Sequence, residues 1–271
     1  FLSFQQLQDT FSNNAKKLLE QGYFITKVEN KPLLDKIKDS FSKFLRSEHQ
    51  IDLDKNNLNN LHTLLPYKNI NSLRLGFFKH INASSQSFPL DFLSLAQDVL
   101  FDIVGTELAS NKMVNFSAQL PNDETSVLPI HSDSFSGESP FQINLWVPLT
   151  NAYDSNAMFI FNPKFSSKVM RNIRDYEQEG ISKLVEEHPD ECTFLKVSSG
   201  EALIFSPTCL HGNIINKTKE TRLSFNCRYK NLFSPYTENE GSEKKLGSFY
   251  SPLTPKAASL IGLNFNFDDS E

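Results

Sequence analysis

Hydrophobic residues recur with a helical period in the first part of the chain and with a strand period in the second. Residues 5–20 carry Leu7, Phe11, Ala15 and Leu18-Leu19 at helical spacing with a polar opposite face, and Gly22 breaks the pattern before a short strand, Tyr23-Phe24-Ile25-Thr26. A second helix follows, with Leu33-Leu34, Ile37, Phe41 and Phe44-Leu45 on one face. Residues 48–72 are polar and Asn-rich and predict loops, Arg74 to Ile81 reads as a strand, and residues 90–108 read as a further helix.

From residue 112 onward the texture becomes one of short strands, with eight candidates at 112–120, 127–131, 141–149, 157–161, 192–197, 202–206, 211–216 and 221–230. Eight short strands separated by turn signals predict a mainly β fold, a double-sheet jelly roll (double-stranded β-helix) with N-terminal helices packed on its major sheet. The chain then reads as one domain over 1–271: mostly helical support over 1–111, the jelly-roll core over 112–230, and a C-terminal extension over 231–271 that wraps the surface. The span 164–190 interrupts the strands with a predicted helix, Tyr176 to Glu187, placed as a lid or insertion.

Alternation assigns faces to these strands. In 221–230, Arg222, Ser224, Asn226 and Arg228 oppose Leu223, Phe225, Cys227 and Tyr229. In 141–149, Gln142, Asn144 and Trp146 oppose Ile143, Leu145 and Val147, and in 112–120, Asn115, Ser117 and Gln119 oppose Val114, Phe116, Ala118 and Leu120. Each polar face alone could be solvated. Amphipathic helices are available at the N-terminus to cover an apolar sheet face, which leaves both directions open for the polar ones.

Composition narrows the function classes. Net charge is −5 with no dense Lys/Arg run, which argues against nucleic acid or an anionic membrane as main partner. No apolar stretch approaches the roughly 20 residues of a membrane span. The N-terminus lacks the layout of a signal peptide, and it also lacks an initiator Met, which leaves a removed leader open. Three scattered cysteines, Cys192, Cys209 and Cys227, make neither a disulfide framework nor a thiolate zinc site, so they read as reduced packing residues and cytoplasm is the default compartment. Oligomeric state is not legible.

The chemistry concentrates in His131-Ser132-Asp133, a distal His211, and Arg222 eleven residues beyond it. His131 and Asp133 are two apart, so an extended strand end points both the same way, and the apolar run Val127-Leu128-Pro129-Ile130 keeps a shared metal from full hydration. Two imidazoles and one carboxylate suit non-haem Fe(II) and leave three coordination positions open. A fixed guanidinium nearby suits bidentate anchoring of a dicarboxylate. His49, His62 and His188 sit in polar surroundings and read as surface residues, and His80 is at most a pocket candidate.

In this order and spacing the chain resembles the Fe(II)/2-oxoglutarate-dependent dioxygenases over roughly residues 112–230, including the run from Gly200-Glu201 to His211-Gly212. The resemblance implies His131, Asp133 and His211 as catalytic metal ligands, with Fe(II), 2-oxoglutarate and O2 as the reacting set. Related halogenases replace the carboxylate with Ala or Gly, so Asp133 implies hydroxylation or a related oxidation. The His211–Arg222 spacing resembles the phytanoyl-CoA-hydroxylase-like branch, which implies Arg222 rather than Arg228 as the 2-oxoglutarate anchor, with Ser224 on the same face and an amide from Gln119. Asn213 stands where that branch often has Ser, and Trp146 packs either against the co-substrate or in the core.

Two segments, Asn144-Leu145-Trp146-Val147-Pro148-Leu149-Thr150 and Asp154-Ser155-Asn156-Ala157-Met158-Phe159-Ile160, resemble bacterial oxygenases of sporadic surface-carbohydrate gene clusters. That implies a small-molecule substrate, a sugar or sugar nucleotide, with Arg74, Gln142, Asn144, Asn226 and Arg228 lining its pocket. Arg74 and Arg228 would contact an anionic group or serve as structural ion-pair partners. Two other classes stay open on the same architecture. A cupin-like isomerase or epimerase would usually show His-x-His with a nearby Glu, and a non-catalytic carbohydrate-binding jelly roll has no use for an intact triad.

Overall fold

The alternating segments assemble into two antiparallel sheets in the computed structural model, which describes residues 4–174, 176, 181–236 and 243–267. The first part supplies α1 (Phe4–Asp9), α2 (Asn13–Gln21), β1 (Tyr23–Lys27), α3 (Lys31–His49), α4 (Ile70–Asn82), α5 (Phe88–Leu93) and α6 (Gln97–Val104). The strand-rich part follows with β2 (Leu108–Asn111), β3 (Asn115–Gln119), β4 (Gln142–Pro148), β5 (Met158–Phe161), α7 (Pro163–Arg171) and α8 (Leu184–Glu187). It continues with β6 (Cys192–Phe194), β7 (Glu201–Phe205), β8 (His211–Asn213), β9 (Arg222–Asn231), β10 (Tyr250–Pro252) and α9 (Ala257–Phe267).

The large sheet runs β1-β7-β4-β9-β2-β10, and β3 pairs with the first half of β9, on the edge that β2 takes further along. The small sheet runs β6-β5-β8. On the large sheet the apolar side chains of β3, β4, β7 and β9 join those of the N-terminal helices in one core that includes Phe41, Phe77, Phe92, Phe116, Leu145, Ile204 and Phe225. The opposite faces of β4 and β7 meet the small sheet through Trp146, Met158, Ile160, Leu203 and Phe205. Polar side chains fill the rest of that inter-sheet space, as the alternation requires.

Local chemistry fixes the helices that cover the sheet. Ser12 caps α2 by accepting from the Ala15 N–H at 3.1 Å, and Gly22, at φ 82°, ends it in the left-handed conformation that glycine adopts without penalty. Asn30 caps α3 through the Leu33 N–H at 3.0 Å, with Pro32 in the first turn.

Several boundaries differ from the sequence reading. Residues 5–20 form α1 and α2, separated by a break before the Ser12 cap. Arg74 to Ile81 lies within helix α4, because Ile70, Leu73, Phe77 and Ile81 share one buried helical stripe that begins four residues before the expected strand. The expected helix over 90–108 is α5 and α6, with the strand β2 beginning at Leu108. The expected strand 127–131 is reduced to one bridge, His131 with His211, since Pro129 has no N–H to give a ladder. The C-terminal extension contributes a further strand, β10, to the large sheet, and helix α9.

The expected lid, Tyr176 to Glu187, falls partly on 177–180, outside the described residues. Its described remainder packs Tyr176, Ile181, Leu184 and Val185 against Phe159, Phe161 and Phe165, on the face of the small sheet turned away from the large one. Among the described residues no helix is long and apolar enough to cross a membrane. Cys192, Cys209 and Cys227 are all free, the last two buried.

Phe225 lies within 6.1 Å, ring centre to ring centre, of Phe77, Phe88, Phe92 and Phe116, so it joins β9 to three elements at once. Phe225→Ala should cost about 3–5 kcal/mol in urea unfolding, as for other buried Phe truncations. Phe233→Ala, at a residue 61% exposed, should change stability by less than about 0.5 kcal/mol.

Candidate metal and anion site

His131, Asp133 and His211 each offer a ligand atom, and the three atoms lie within 4.8 Å of one another. Two backbone hydrogen bonds bring them together: the His131 N–H donates to the His211 carbonyl at 3.0 Å, and the His211 N–H returns the bond at 2.9 Å. The imidazole rings then face each other with centroids 4.3 Å apart. Each Nδ1 lies 2.9 Å from a backbone carbonyl, that of Pro129 for His131 and that of Cys209 for His211. A carbonyl only accepts, so each Nδ1 carries the hydrogen and each Nε2 keeps its lone pair for a ligand bond. The donor set therefore fits a divalent metal.

The charges agree. Burial alone would raise the Asp133 pKa, but the neighbouring His131 imidazole, the Arg228 charge, the His211 imidazole and the Asn144 amide together hold the carboxyl far below its usual range. Burial pushes His211 down to about 4, leaving it neutral at physiological pH. For His131 burial works downward and is outweighed by Asp133 and the Pro129 carbonyl, which raise it. A proton and a metal ion thus compete for the His131 Nε2.

Behind Asp133 is a polar layer that sequence reading found only in part. Asn144 donates to Asp133 Oδ2 at 2.6 Å, and Arg228 Nη2 donates to Oδ1 at 3.2 Å. The Arg228 guanidinium also pairs with Glu138, which receives Lys244 Nζ at 3.1 Å and Gln142 Nε2 at 2.7 Å. Gln142 further accepts from Tyr250 Oη. Gln142 is fully buried in this layer and does not line the cavity, which corrects its assignment as a substrate contact. Asn144 is likewise engaged with Asp133. Glu138 was missed because its loop position carries no periodic signal.

Arg222 occupies another part of the same cavity. It is 3% exposed, yet its partners are neutral: Gln119 Oε1 at 3.0 and 3.2 Å and Ser224 Oγ at 2.8 Å. Among the described residues no carboxylate pairs with it. Burial lowers its pKa to about 10, so it stays charged at neutral pH. Gln119 also donates to the Ile214 carbonyl at 2.6 Å, which fixes its oxygen toward Arg222. Trp146 lies under the guanidinium, 5.7 Å from ring centre to Cζ. Asn213 bonds the segment 126–128, accepting from the Leu128 N–H and donating to the Ser126 carbonyl at 3.1 Å.

These groups line one cavity of about 340 Å³ that holds His131, Asp133, His211, Arg222, Ser224, Asn226 and Arg228, and also Arg74, Trp146 and Asn213. Gln119 backs Arg222 from outside that lining. His80 is elsewhere, on α4 against Phe44 and Phe77, and is not part of this cavity. His62 contacts Thr221, with Nδ1 3.1 Å from its hydroxyl.

No protein-family model matches the chain. The chain is 26% identical over 124 residues to the streptomycin biosynthesis protein StrG of Streptomyces griseus, a match covering 45% of this chain and 45% of that protein. The chain therefore aligns with less than half the length of that relative. Among solved structures, it is similar to EctD from S. alaskensis with 2-oxoglutarate and 5-hydroxyectoine, at TM-score 0.57 and 15% identity, covering 94% of this chain and 86% of that one. It is also similar to the non-haem monooxygenase ThoJ in a nickel complex, at TM-score 0.50 and 13% identity, covering 94% and 95%. At these identities the likeness is one of fold.

Gly212 gives the metal site a second point of attack besides its ligands. A Cβ there would come 2.8 Å from the Leu128 carbonyl and 2.9 Å from the Phe159 ring, so it would push the 128–131 segment off β8. Anaerobic Fe(II) titration should show one site in the wild type, lost in His131→Ala and in His211→Ala. Gly212→Ala should weaken it about tenfold or more with both histidines intact, as expected for a disturbed metal surround. Unchanged stoichiometry in both histidine variants would mean the metal lies elsewhere.

Proposed function

We propose that the protein is an Fe(II)- and 2-oxoglutarate-dependent oxygenase, a dioxygenase in its use of O2, that hydroxylates or otherwise oxidises a small polar substrate. The observation that carries this reading is Arg222, a buried guanidinium with no acid partner among the described residues, in the same cavity as an intact His/Asp/His set. Burying a charge without a counter-charge is costly, and a dicarboxylate removes the cost when it binds. A cupin-like isomerase uses no dicarboxylate co-substrate and needs no anchor for one.

In this reading His131, Asp133 and His211 hold the iron, and Arg222 with Ser224 receives the distal carboxylate of 2-oxoglutarate. Gln119 keeps the guanidinium aimed, while Trp146 forms an apolar wall that excludes water. When loaded with Fe(II), 2-oxoglutarate and O2, such a centre supplies oxidation of a substrate C–H bond coupled to decarboxylation of the co-substrate. Asn144 and Arg228 fix the Asp133 carboxylate so that one orientation faces the metal. Asn213 holds the 126–128 segment beside β8, and with it the approach to His131.

The finer placement is also ours. The two sheets form a double-stranded β-helix, residues 1–271 act as a single unit, and the chain falls in the phytanoyl-CoA-hydroxylase-like branch. The relative from streptomycin biosynthesis supports a sugar-related small molecule as substrate. The free cysteines support work in the reducing cytoplasm.

Succinate formation with Fe(II) and 2-oxoglutarate tests the reaction class. Arg222→Ala should raise the apparent KM for 2-oxoglutarate by about tenfold or more, the loss of a charge-assisted contact, with Fe(II) stoichiometry unchanged. Arg228→Ala should instead impair metal binding, because it leaves Asp133 and Glu138 without their shared cation. The reverse order would show that the wrong arginine has been chosen as anchor.

A further inference from the structure

Three arginines line the cavity, and only one of them is neutralised. Arg228 is set between Asp133 and Glu138, and Glu138 is itself shared with Lys244. Arg222 and Arg74 have no acid partner among the described residues, and Asp133 is the only carboxylate in the lining. If Arg222 receives the distal carboxylate of a co-substrate, Arg74 is the arginine of this lining left without a counter-charge among the described residues.

Arg74 joins the lining from a helix, not from a strand. It belongs to α4, which packs on the far side of β3: Phe77 meets Phe116 at 5.0 Å, and Asn82 is bonded to Val114 at 2.8 and 2.9 Å. Among the described residues β3 pairs with β9 alone, and Arg74 lines the cavity together with Asn115 and Ser117 of that strand. A long cationic side chain is costly to order. Among the described residues its hydrogen bond is a long one, Nη1 to Asn71 Oδ1 at 3.3 Å, and its Nε is buried with no partner. In the same cavity the buried Oδ1 of Asn226 also lacks a partner. Together these groups ask for an oxyanion on one side and a hydroxyl or amine donor on the other.

We propose that Arg74 is a substrate-specificity residue: the primary substrate carries an oxyanion group, a phosphate or a carboxylate, that binds Arg74 separately from the carboxylate bound by Arg222. This rests on the oxygenase reading for the identity of the second anion, but not for its own site. A hydroxylated molecule bearing one such group satisfies both Arg74 and Asn226. A neutral polyol leaves Arg74 uncompensated, and a plain acyl chain leaves Asn226 unpaired as well.

Calorimetry on the Ni(II)-loaded protein, with succinate saturating the co-substrate position, tests this without turnover. The probes are glucose 1-phosphate, glucose and inorganic phosphate. Wild-type protein should bind glucose 1-phosphate about tenfold or more tightly than glucose. Arg74→Ala should abolish that preference with succinate affinity and melting temperature unchanged, and Arg74→Lys should restore part of it. Arg222→Ala should lose succinate and, without succinate present, keep the phosphate preference. No preference in the wild type, a preference that survives Arg74→Ala, or loss of succinate affinity in Arg74→Ala would each overturn the proposal. If succinate fails to bind the wild type while the Arg74-dependent preference persists, the co-substrate reading falls and the Arg74 site stands.

Discussion

Strand β9 must satisfy two surroundings at once, and the rest of the molecule depends on its register. Its odd-numbered residues, Leu223, Phe225, Cys227 and Tyr229, enter the core shared with the N-terminal helices. Its even-numbered residues Arg222, Ser224, Asn226 and Arg228 face the cavity. A slip of one residue would put two guanidinium groups into a phenylalanine cluster and that cluster into the polar cavity. Pairing on both sides prevents the slip: β4 holds β9 from Lys230 to Ser224, and β3 and β2 share the opposite edge. The helical half of the chain is thus part of the site, because without its apolar cover the inward direction of the charges would not be defined.

That inward face is electrostatically uneven. Around Asp133 every charge has a counter-charge, so the carboxylate is held ionised and oriented before any metal arrives. Replacing such a buried pair by apolar residues often leaves stability unchanged or raises it, which argues that Arg228 and Glu138 serve to position Asp133 more than to stabilise the fold. Around Arg222 the opposite choice is made: the polar partners are neutral, and the charge waits for a ligand. One cavity therefore contains a compensated, pre-set part and an uncompensated, receptive part, and the receptive part is where an anion gains most.

Much of this was legible in the sequence because strand periodicity is strict. Alternation over 221–230, 141–149 and 112–120 assigned the faces of β9, β4 and β3, and the interval of two between His131 and Asp133 pointed to a shared ligand. Helical periodicity is a looser signal, and the run Arg74-Leu75-Gly76-Phe77-Phe78 reads as a strand until Ile70 and Leu73 are included in its stripe. Short elements held by a partner also escaped. β10 is three residues long and exists because β2 pairs with it. Conversely, 127–131 has the composition of a strand, but Pro129 permits only a bridge. Gln142 shows a different failure: alternation gives the face on which a side chain lies, but says nothing of what else fills that face, and here Glu138 and Tyr250 occupy it.

The same reasoning explains why Arg74 is the informative residue for the substrate, although it lies outside the strand pattern. Residues on β3, β4 and β9 reach the cavity through the pleat, so their presence there follows from the sheet and carries little information about a ligand. Arg74 comes from α4, whose Phe77 packs on the apolar face of the sheet, so the strand pleat does not impose its place in the lining. A long cation that lines the cavity, with its Nε unpaired and no acid partner among the described residues, costs ordering entropy against one long hydrogen bond to Asn71. An anion that enters the cavity supplies both a counter-charge for the guanidinium and an acceptor for its buried Nε.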